Sequence, residues 1–169
     1  MKKGFLTILA VAVAIPLAAQ DNSLSQEAQR AWNRTKNFVT AAAAKMPEEH
    51  YGFKPAPESQ SFGDLVAHTA NAAMGACSGV SGQRRRAGVD GGASKADLAA
   101  ALATAMAECD KAYAATDASN ATEMIEGRRG SSSRLGLLYR NTIHIEHEYA
   151  QMAVHMRFKG LVPPSSEGR

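Results

Sequence analysis

Apolar positions recur with a helical period in four segments of this chain. The last segment carries a stripe at steps of three and four formed by Leu135, Leu138, Thr142, Ile145, Tyr149, Met152 and Met156. Such spacing places side chains on one face of a helix. The four patterns predict helices over about residues 25–45, 62–79, 94–116 and 132–158. No segment shows the strict alternation of a half-buried strand, so no strand is predicted.

The ends of these segments carry helix-capping signals. Ser61 and Ser94 each stand three residues before an aspartate, as in the capping box that opens many helices. Pro55 and Pro57 keep the first linker extended, and residues 82–93 form a loop rich in Gly and Arg. Four amphipathic helices joined by such loops predict an all-α fold, a four-helix bundle.

The first residues have the pattern of a secretory signal peptide. Lys2 and Lys3 precede an apolar run that ends in small residues, and we expect cleavage near Ala19. The predicted organisation is a signal peptide over residues 1–19 and one domain over residues 20–169. No Cys stands at the cleavage point to carry a lipid, so a secreted, periplasmic protein without a membrane anchor is expected.

The net charge of the domain argues against nucleic acid as a partner. The whole chain has a formal charge of +3, with 19 basic and 16 acidic residues. Lys2 and Lys3 belong to the predicted signal peptide, which contains no acid, so the mature chain carries 17 basic residues and a charge of +1. A nearly neutral domain with no basic helical stripe lacks the electrostatic footprint of a nucleic-acid-binding protein.

The chain has two cysteines, Cys77 and Cys109, in the second and third predicted helices. An oxidising compartment permits them to form a disulfide. Two buried thiols acting as small apolar side chains fit the same positions. The separation of the two Cα atoms decides between these alternatives, and spacing along the chain does not give it.

Potential metal ligands cluster near the end of the chain. His144 and Glu148 lie four residues apart and share a helix face, and His147 flanks them. A third ligand has to come from another helix, and His68 at the edge of the second helix's buried face is the best candidate. Two histidines and one carboxylate form a competent facial set that leaves positions open for water or substrate. His155, near the helix end, is expected at an interface or on the surface.

Several motifs together resemble the DinB-like superfamily. They are Met46-Pro47-Glu48-Glu49, Tyr51-Gly52-Phe53-Lys54-Pro55, the run from Ser61 to His68, His144, and the ending from Met156 to Ser166. The resemblance covers essentially the whole mature chain. It implies a DinB-like four-helix bundle of up-down helices with a long connection between helices 2 and 3.

The resemblance also implies a divalent metal ion, nickel, zinc or iron. Family members place one histidine on the second helix and a His-x-x-x-His pair on the fourth. His68 and His144 match two of these positions, and Glu148 stands where the second histidine of the pair is expected. His147, displaced by one residue, is the alternative to Glu148.

Two functions follow as expectations. One is a metal-dependent transferase or hydrolase acting on a small-molecule substrate, with the metal activating a thiol or water. The other is a non-catalytic periplasmic binding or structural bundle whose metal site has decayed. Pairing of two copies through alanine-rich faces, giving a homodimer, is a further expectation. Whether the protein is an enzyme, and on what substrate, stays open at the level of sequence.

Overall fold

The computed structural model describes residues 18–127 and 130–168, which form an all-α bundle of four helices. The helices are α1 Ala18–Lys45, α2 Phe62–Val80, α3 Lys95–Ala114 and α4 Arg134–Phe158. The predicted fold class is confirmed, and α2, α3 and α4 end within about two residues of the predicted positions. The prediction of a signal peptide falls mainly on residues 1–17, which lie outside the described residues.

One local prediction was wrong, since the chain does contain strands. β1 Met124–Ile125 and β2 Ser132–Ser133 form a two-residue antiparallel ladder between α3 and α4. Strands of two residues are too short to produce a recognisable alternation, which explains the miss. Two short 3-10 helices, Glu48–His50 and Pro164–Ser166, complete the regular structure among the described residues.

Contacts between helices fix their directions. Along α4, Glu146 meets Arg34 and Tyr149 stacks on Phe38, so α1 and α4 run in parallel. His68 meets His144, while Arg134 donates to the carbonyl of Val80. The residue numbers of the contacting positions therefore decrease along α2 as they increase along α4, so these two helices are antiparallel.

The first and third helices are antiparallel as well. Trp32 donates to Asp110 near the end of α3, whereas Lys95 at its start reaches the carbonyl of Met46 just beyond α1. The directions in chain order are thus up, down, down, up. Because α2 and α3 point the same way, the chain between them has to return along the whole bundle.

Residues 81–94 make that return, as the predicted long connection between helices 2 and 3 requires. Asn71 holds this loop against α2 by accepting from the backbone N–H of Gly88 and donating to the carbonyl of Val89. At the far end Gly91 lies so close to Asp64 that a Cβ on Gly91 would come within 2.7 Å of that residue's backbone nitrogen. The 19-residue helix α2 is about 28 Å long. The loop 81–94, when extended, is longer than that and can therefore span the whole helix.

Capping follows the sequence signals. The Ser61 hydroxyl accepts from the backbone N–H of Asp64, whose carboxylate accepts from the Ser61 backbone, so the predicted capping box is complete. At α3 the Ser94 hydroxyl accepts from the backbone of Asp97 and donates to its carboxylate. These bonds satisfy N–H groups that a helix start otherwise leaves without partners.

The core lies between the four helices, with Trp32, Phe62 and Leu65 fully buried. Cys77 and Cys109 are also fully buried and form a disulfide across a Cα separation of 4.9 Å, which decides between the two alternatives open at the sequence level. This bond ties α2 to α3 on the side of α2 opposite His68, and Asn141 of α4 reaches it with its Nδ2 3.8 Å from the Sγ of Cys109.

Candidate metal centre

Three side chains converge where α2 passes α4. One potential ligand atom from each of His68, His144 and Glu148 lies within 4.8 Å of the other two. The two imidazole Nε2 atoms are 3.1 Å apart. The Glu148 Oε1 atom lies 3.7 Å from Nε2 of His68 and 3.9 Å from Nδ1 of His144.

Local helical geometry and the helix pairing each supply part of this arrangement. His144 and Glu148 are four residues apart on α4, so both project from one face. The antiparallel packing of α2 then brings His68 opposite them. The contact between Arg134 and the Val80 carbonyl, three turns away, holds the register of the two helices.

Burial differs sharply among the three groups. The Glu148 side chain is only 5% exposed, whereas those of His68 and His144 are 46% and 42% exposed. The second carboxylate oxygen of Glu148 accepts from Nε2 of Gln151 at 3.3 Å. A buried carboxylate is costly unless a positive group or hydrogen bonds compensate it. The arrangement therefore favours a cation between the carboxylate and the two imidazoles.

The pKa of His144 lies below its usual value. Burial is the main cause, and the neighbouring imidazoles of His68 and His147 act in the same direction, while Glu148 opposes the shift. A lowered pKa keeps the imidazole neutral at pH 7, and only the neutral ring has a lone pair to give to a metal.

The spacing of the ligand atoms fits a metal ion. Nitrogens bound at 2.0–2.1 Å are about 2.9 Å apart at a right angle and about 3.3 Å apart at a tetrahedral angle. The observed 3.1 Å between the imidazoles lies between these values. The Glu148 oxygen stands farther out, at 3.7 Å from His68, and would have to move inward by roughly half an ångström to complete such a shell.

The other predicted polar residues lie in different surroundings. His147, the alternative ligand, is exposed and is not one of the three groups whose ligand atoms converge. Gln151 touches the site only through Glu148. His50 is half-buried in the first 3-10 helix. The phenol of Tyr149 accepts from the backbone N–H of Ser165, so it supports the C-terminal segment.

Of the two alternatives expected for His155, the surface was wrong, because the residue is only 3% exposed and lies at an interface inside the fold. Its two ring nitrogens contact backbone carbonyls, Nδ1 that of Gln151 at 2.8 Å and Nε2 that of Gln60 at 3.0 Å. Phe53 and Phe62 pack edge-on against its ring. The linker that follows α1 therefore covers this histidine, which the sequence of α4 alone does not reveal.

Two concavities of the surface lie elsewhere. One groove of about 720 Å³ is lined by Leu24, Glu27, Ala28, Ala31, Ala118, Ala121, Thr122, Ser133, Leu135, Gly136 and Tyr139. A second one of about 410 Å³ is lined by Arg34, Phe38, Glu146, Tyr149 and Ser165. Neither includes the three converging side chains, so the candidate site is identified by its chemistry and not by the depth of a pocket.

Sequence reasoning missed one residue beside the site. Arg140 lies four positions before His144 on α4 and is exposed. The same four-residue spacing that links His144 to Glu148 places it next to the centre, so the signal was present in the sequence.

None of the helices in the described part of the chain has the length and apolar character that a membrane span requires.

Fold and site together define a helical bundle with a candidate divalent-metal centre of two histidines and one carboxylate. Residues 28–152 match the DinB superfamily, and the chain belongs to that family. Two solved structures support the fold. A DinB-like protein from Bacillus cereus ATCC 10987 is 18% identical with a TM-score of 0.67, covering 82% of this chain and 95% of its own.

The second solved structure gives a similar result. A DinB-like protein from Bacillus subtilis is 16% identical with a TM-score of 0.66, and the alignment covers 85% of this chain and 99% of that one. At these identities the likeness establishes the fold alone. A comparison with curated proteins finds no match.

Proposed function

We propose that this protein holds a divalent metal ion with His68, His144 and Glu148 and presents it to a small-molecule substrate. The observation that carries the proposal is the convergence of three ligand atoms within 4.8 Å, one of them from a buried carboxylate. Three protein ligands leave coordination positions free, and the half-exposed histidines leave the centre accessible from solvent.

A metal-dependent transferase or hydrolase is the activity that this arrangement supports best. When bound, a divalent ion lowers the pKa of a coordinated water or thiol and polarises a bound substrate. The protein's own contribution is to hold two imidazoles and one carboxylate in place, with Gln151 orienting the carboxylate from behind. Nickel, zinc and iron all accept such nitrogen and oxygen ligands.

Export to an oxidising compartment is part of the proposal. The apolar N-terminal run after Lys2 and Lys3, with small residues up to Ala19, supports secretion and cleavage. The disulfide between Cys77 and Cys109 supports it independently, because disulfides form and persist mainly in such compartments.

A non-catalytic bundle is the second candidate, and one distance favours it. The 3.1 Å between the imidazole nitrogens of His68 and His144 is also that of a direct hydrogen bond. In this alternative the three side chains form a polar cluster that joins α2 to α4 without a metal.

Metal analysis of the mature chain, purified without a histidine tag, separates the two candidates. We expect one equivalent of metal per chain after loading with nickel, zinc or iron. Free metal at 100 times the dissociation constant should stabilise the fold by about 2.7 kcal/mol. For a domain of this size the melting temperature would then rise by roughly 5–10 °C.

Single variants assign the ligands. His144→Ala should abolish the rise in melting temperature, whereas His50→Ala, a histidine away from the centre, should keep it. Loss of binding in His147→Ala but not in Glu148→Ala would make His147 the third ligand. Unaltered melting with all three metals would leave the polar cluster as the function of these residues.

A further inference from the structure

One strip of α2 surface beside the proposed metal centre lies between α4 and the returning loop, and we call this strip the channel. Its floor is the face of α2 that continues from His68 through Ala72 and Gly75 to Gly79, at steps of four, three and four. α4 forms one wall, and the returning loop 81–94 forms the other, since that loop is bonded to Asn71 on the opposite edge of α2.

The side chain of Arg84 lies on this floor and points toward the centre. Its Cγ lies 4.0 Å from the position a Cβ would take on Gly79, and its Nε lies 4.0 Å from the corresponding position on Gly75. The guanidinium therefore extends from Gly79 toward Gly75, the direction in which His68 lies. Two glycines leave the room that the side chain occupies.

The neighbouring residue fixes the place of Arg84. The backbone N–H of Arg85 donates to the hydroxyl of Ser78 at 2.8 Å, and its guanidinium pairs with Glu108 at 2.9 Å. Arg85 is thus tied to α2 and α3, whereas the exposed guanidinium of Arg84 has no hydrogen bond or ion pair within the described part of the chain.

Arg140 supplies a second free cation on the α4 wall. It lies one helical turn before His144, and its exposed guanidinium likewise has no polar partner among residues 18–127 and 130–168. Because His68 meets His144 and Val80 meets Arg134, the turn that carries Arg140 passes α2 between His68 and Gly75. Both arginines therefore border the same channel.

Three acids of the neighbouring helices and loops are already paired with other arginines. Glu108 pairs with Arg85, Glu123 with Arg134 and Glu146 with Arg34, as their distances of 2.9, 2.6 and 3.1 Å indicate. Glu148 is buried beneath the histidines. A divalent ion held by one carboxylate keeps a net charge of about +1, which adds to the two arginines, while Asp90 is the one acid of the loop wall.

We propose that the channel selects substrates carrying an anionic group, a carboxylate or a phosphate, at the end remote from the metal, with Arg140 and Arg84 as its partners. Guanidinium groups bind both anions through paired, charge-assisted hydrogen bonds. One turn separates Arg140 from His144, and Gly75 lies two turns from His68. The anionic group therefore belongs roughly 6–10 Å from the metal-bound end. This inference rests on the proposed metal centre.

The test uses the mature, untagged chain loaded with Co²⁺, whose absorption reports a coordinated thiolate. The probes are 4-mercaptobutyrate and 6-mercaptohexanoate, each compared with its neutral amide. Before any probe is added, a Co²⁺ titration establishes whether the metal binds. Of the two mercapto acids, we expect the one that binds more tightly to exceed its amide in affinity about tenfold. This preference should weaken as the NaCl concentration is raised.

Single and double variants test whether the two arginines cause the preference for the acid over its amide. Arg84→Gln and Arg140→Gln should each reduce it to about threefold and the double variant should abolish it, while Arg30→Gln, an exposed arginine on α1, should keep it. Equal binding of acid and amide to a chain that holds Co²⁺ would overturn the anion selectivity and leave the metal centre standing. A double variant that keeps the tenfold preference would overturn the role of the two arginines in the same way. A chain that takes up no Co²⁺ would overturn both proposals.

Discussion

The two sides of α2 are built on opposite principles. Toward α3, Cys77 and Cys109 are fully buried and covalently joined. Toward α4, two half-exposed imidazoles face a buried carboxylate. The first side stabilises the fold, whereas the second keeps polar groups together at a cost in desolvation. Within one helix, then, stability and candidate chemistry are separated onto different faces.

The disulfide should carry the largest single contribution to stability. Its two cysteines are separated by 32 positions in the chain, and closure of such a loop in the unfolded state is worth about 3–4 kcal/mol in the chain-entropy estimate. We expect the double substitution of Cys77 and Cys109 by Ala to lower the free energy of unfolding by that amount in urea titrations. Metal affinity of the folded variant should stay within about twofold, since the disulfide lies on the other side of α2. A large loss of affinity would show that the two sides are coupled.

Glu148→Gln addresses the other side. Removing the charge of a buried ligand should lower metal affinity about 100-fold, which corresponds to about 2.7 kcal/mol. The metal-free protein should lose no stability, because a neutral amide costs less to bury than a carboxylate. Isothermal titration with metal and urea unfolding measure the two quantities. Glu146→Gln on the same helix, whose partner Arg34 is exposed, serves as the control and should leave both nearly unchanged.

Gly91→Ala tests the third contact of α2, with the returning loop. The added Cβ would lie 2.6 Å from the Cα and 2.7 Å from the backbone nitrogen of Asp64, so rotation of a side chain cannot relieve the clash. We expect a loss of about 2 kcal/mol in thermal or urea unfolding. Gly92→Ala is the matched control, since a Cβ there meets nothing within 4 Å. Equal stability of the two variants would mean that the loop moves away from α2 without cost.

The smallest effect is expected at acid pH. Hydrogen bonds from the Ser61 hydroxyl and backbone hold the pKa of Asp64 below its usual value. Because the folded pKa is the lower one, this contribution to stability is fully present above about pH 4 and disappears as the pH falls through the folded pKa. Asp64→Asn should flatten the decline in stability between about pH 5 and pH 2. A decline as steep as that of the wild type would exclude Asp64 as a contributor.

Much of the fold was predictable because the signals act over short distances. Helix positions follow from the spacing of apolar residues. The start of α2 follows from the capping box of Ser61 and Asp64, two residues that are three positions apart in the sequence. The same local geometry puts His144 and Glu148 on one face. The order of helix directions was less accessible, since it depends on the path of the 81–94 loop along α2.

Several features of the site emerged only from packing. His155 is near the end of α4, but the linker after α1 covers it with Gln60 and Phe53. The direction of Arg84 depends on the loop's attachment to Ser78 and on two glycines that face it. The neighbours of His155 are distant in the sequence, and those of Arg84 are close but lie across the turn that ends α2, so no helical spacing predicts either set.

The sequence by itself determined the four helices, their caps and the alignment of His144 with Glu148, because each depends on atoms within one or two helical turns. Tertiary structure decided that His68 completes the set, that Cys77 pairs with Cys109 and that Arg84 points toward the centre. Those contacts join segments up to 76 residues apart, as His68 and His144 are. Such distances are closed only by the packing of the whole bundle, which fixes helix register and loop path together.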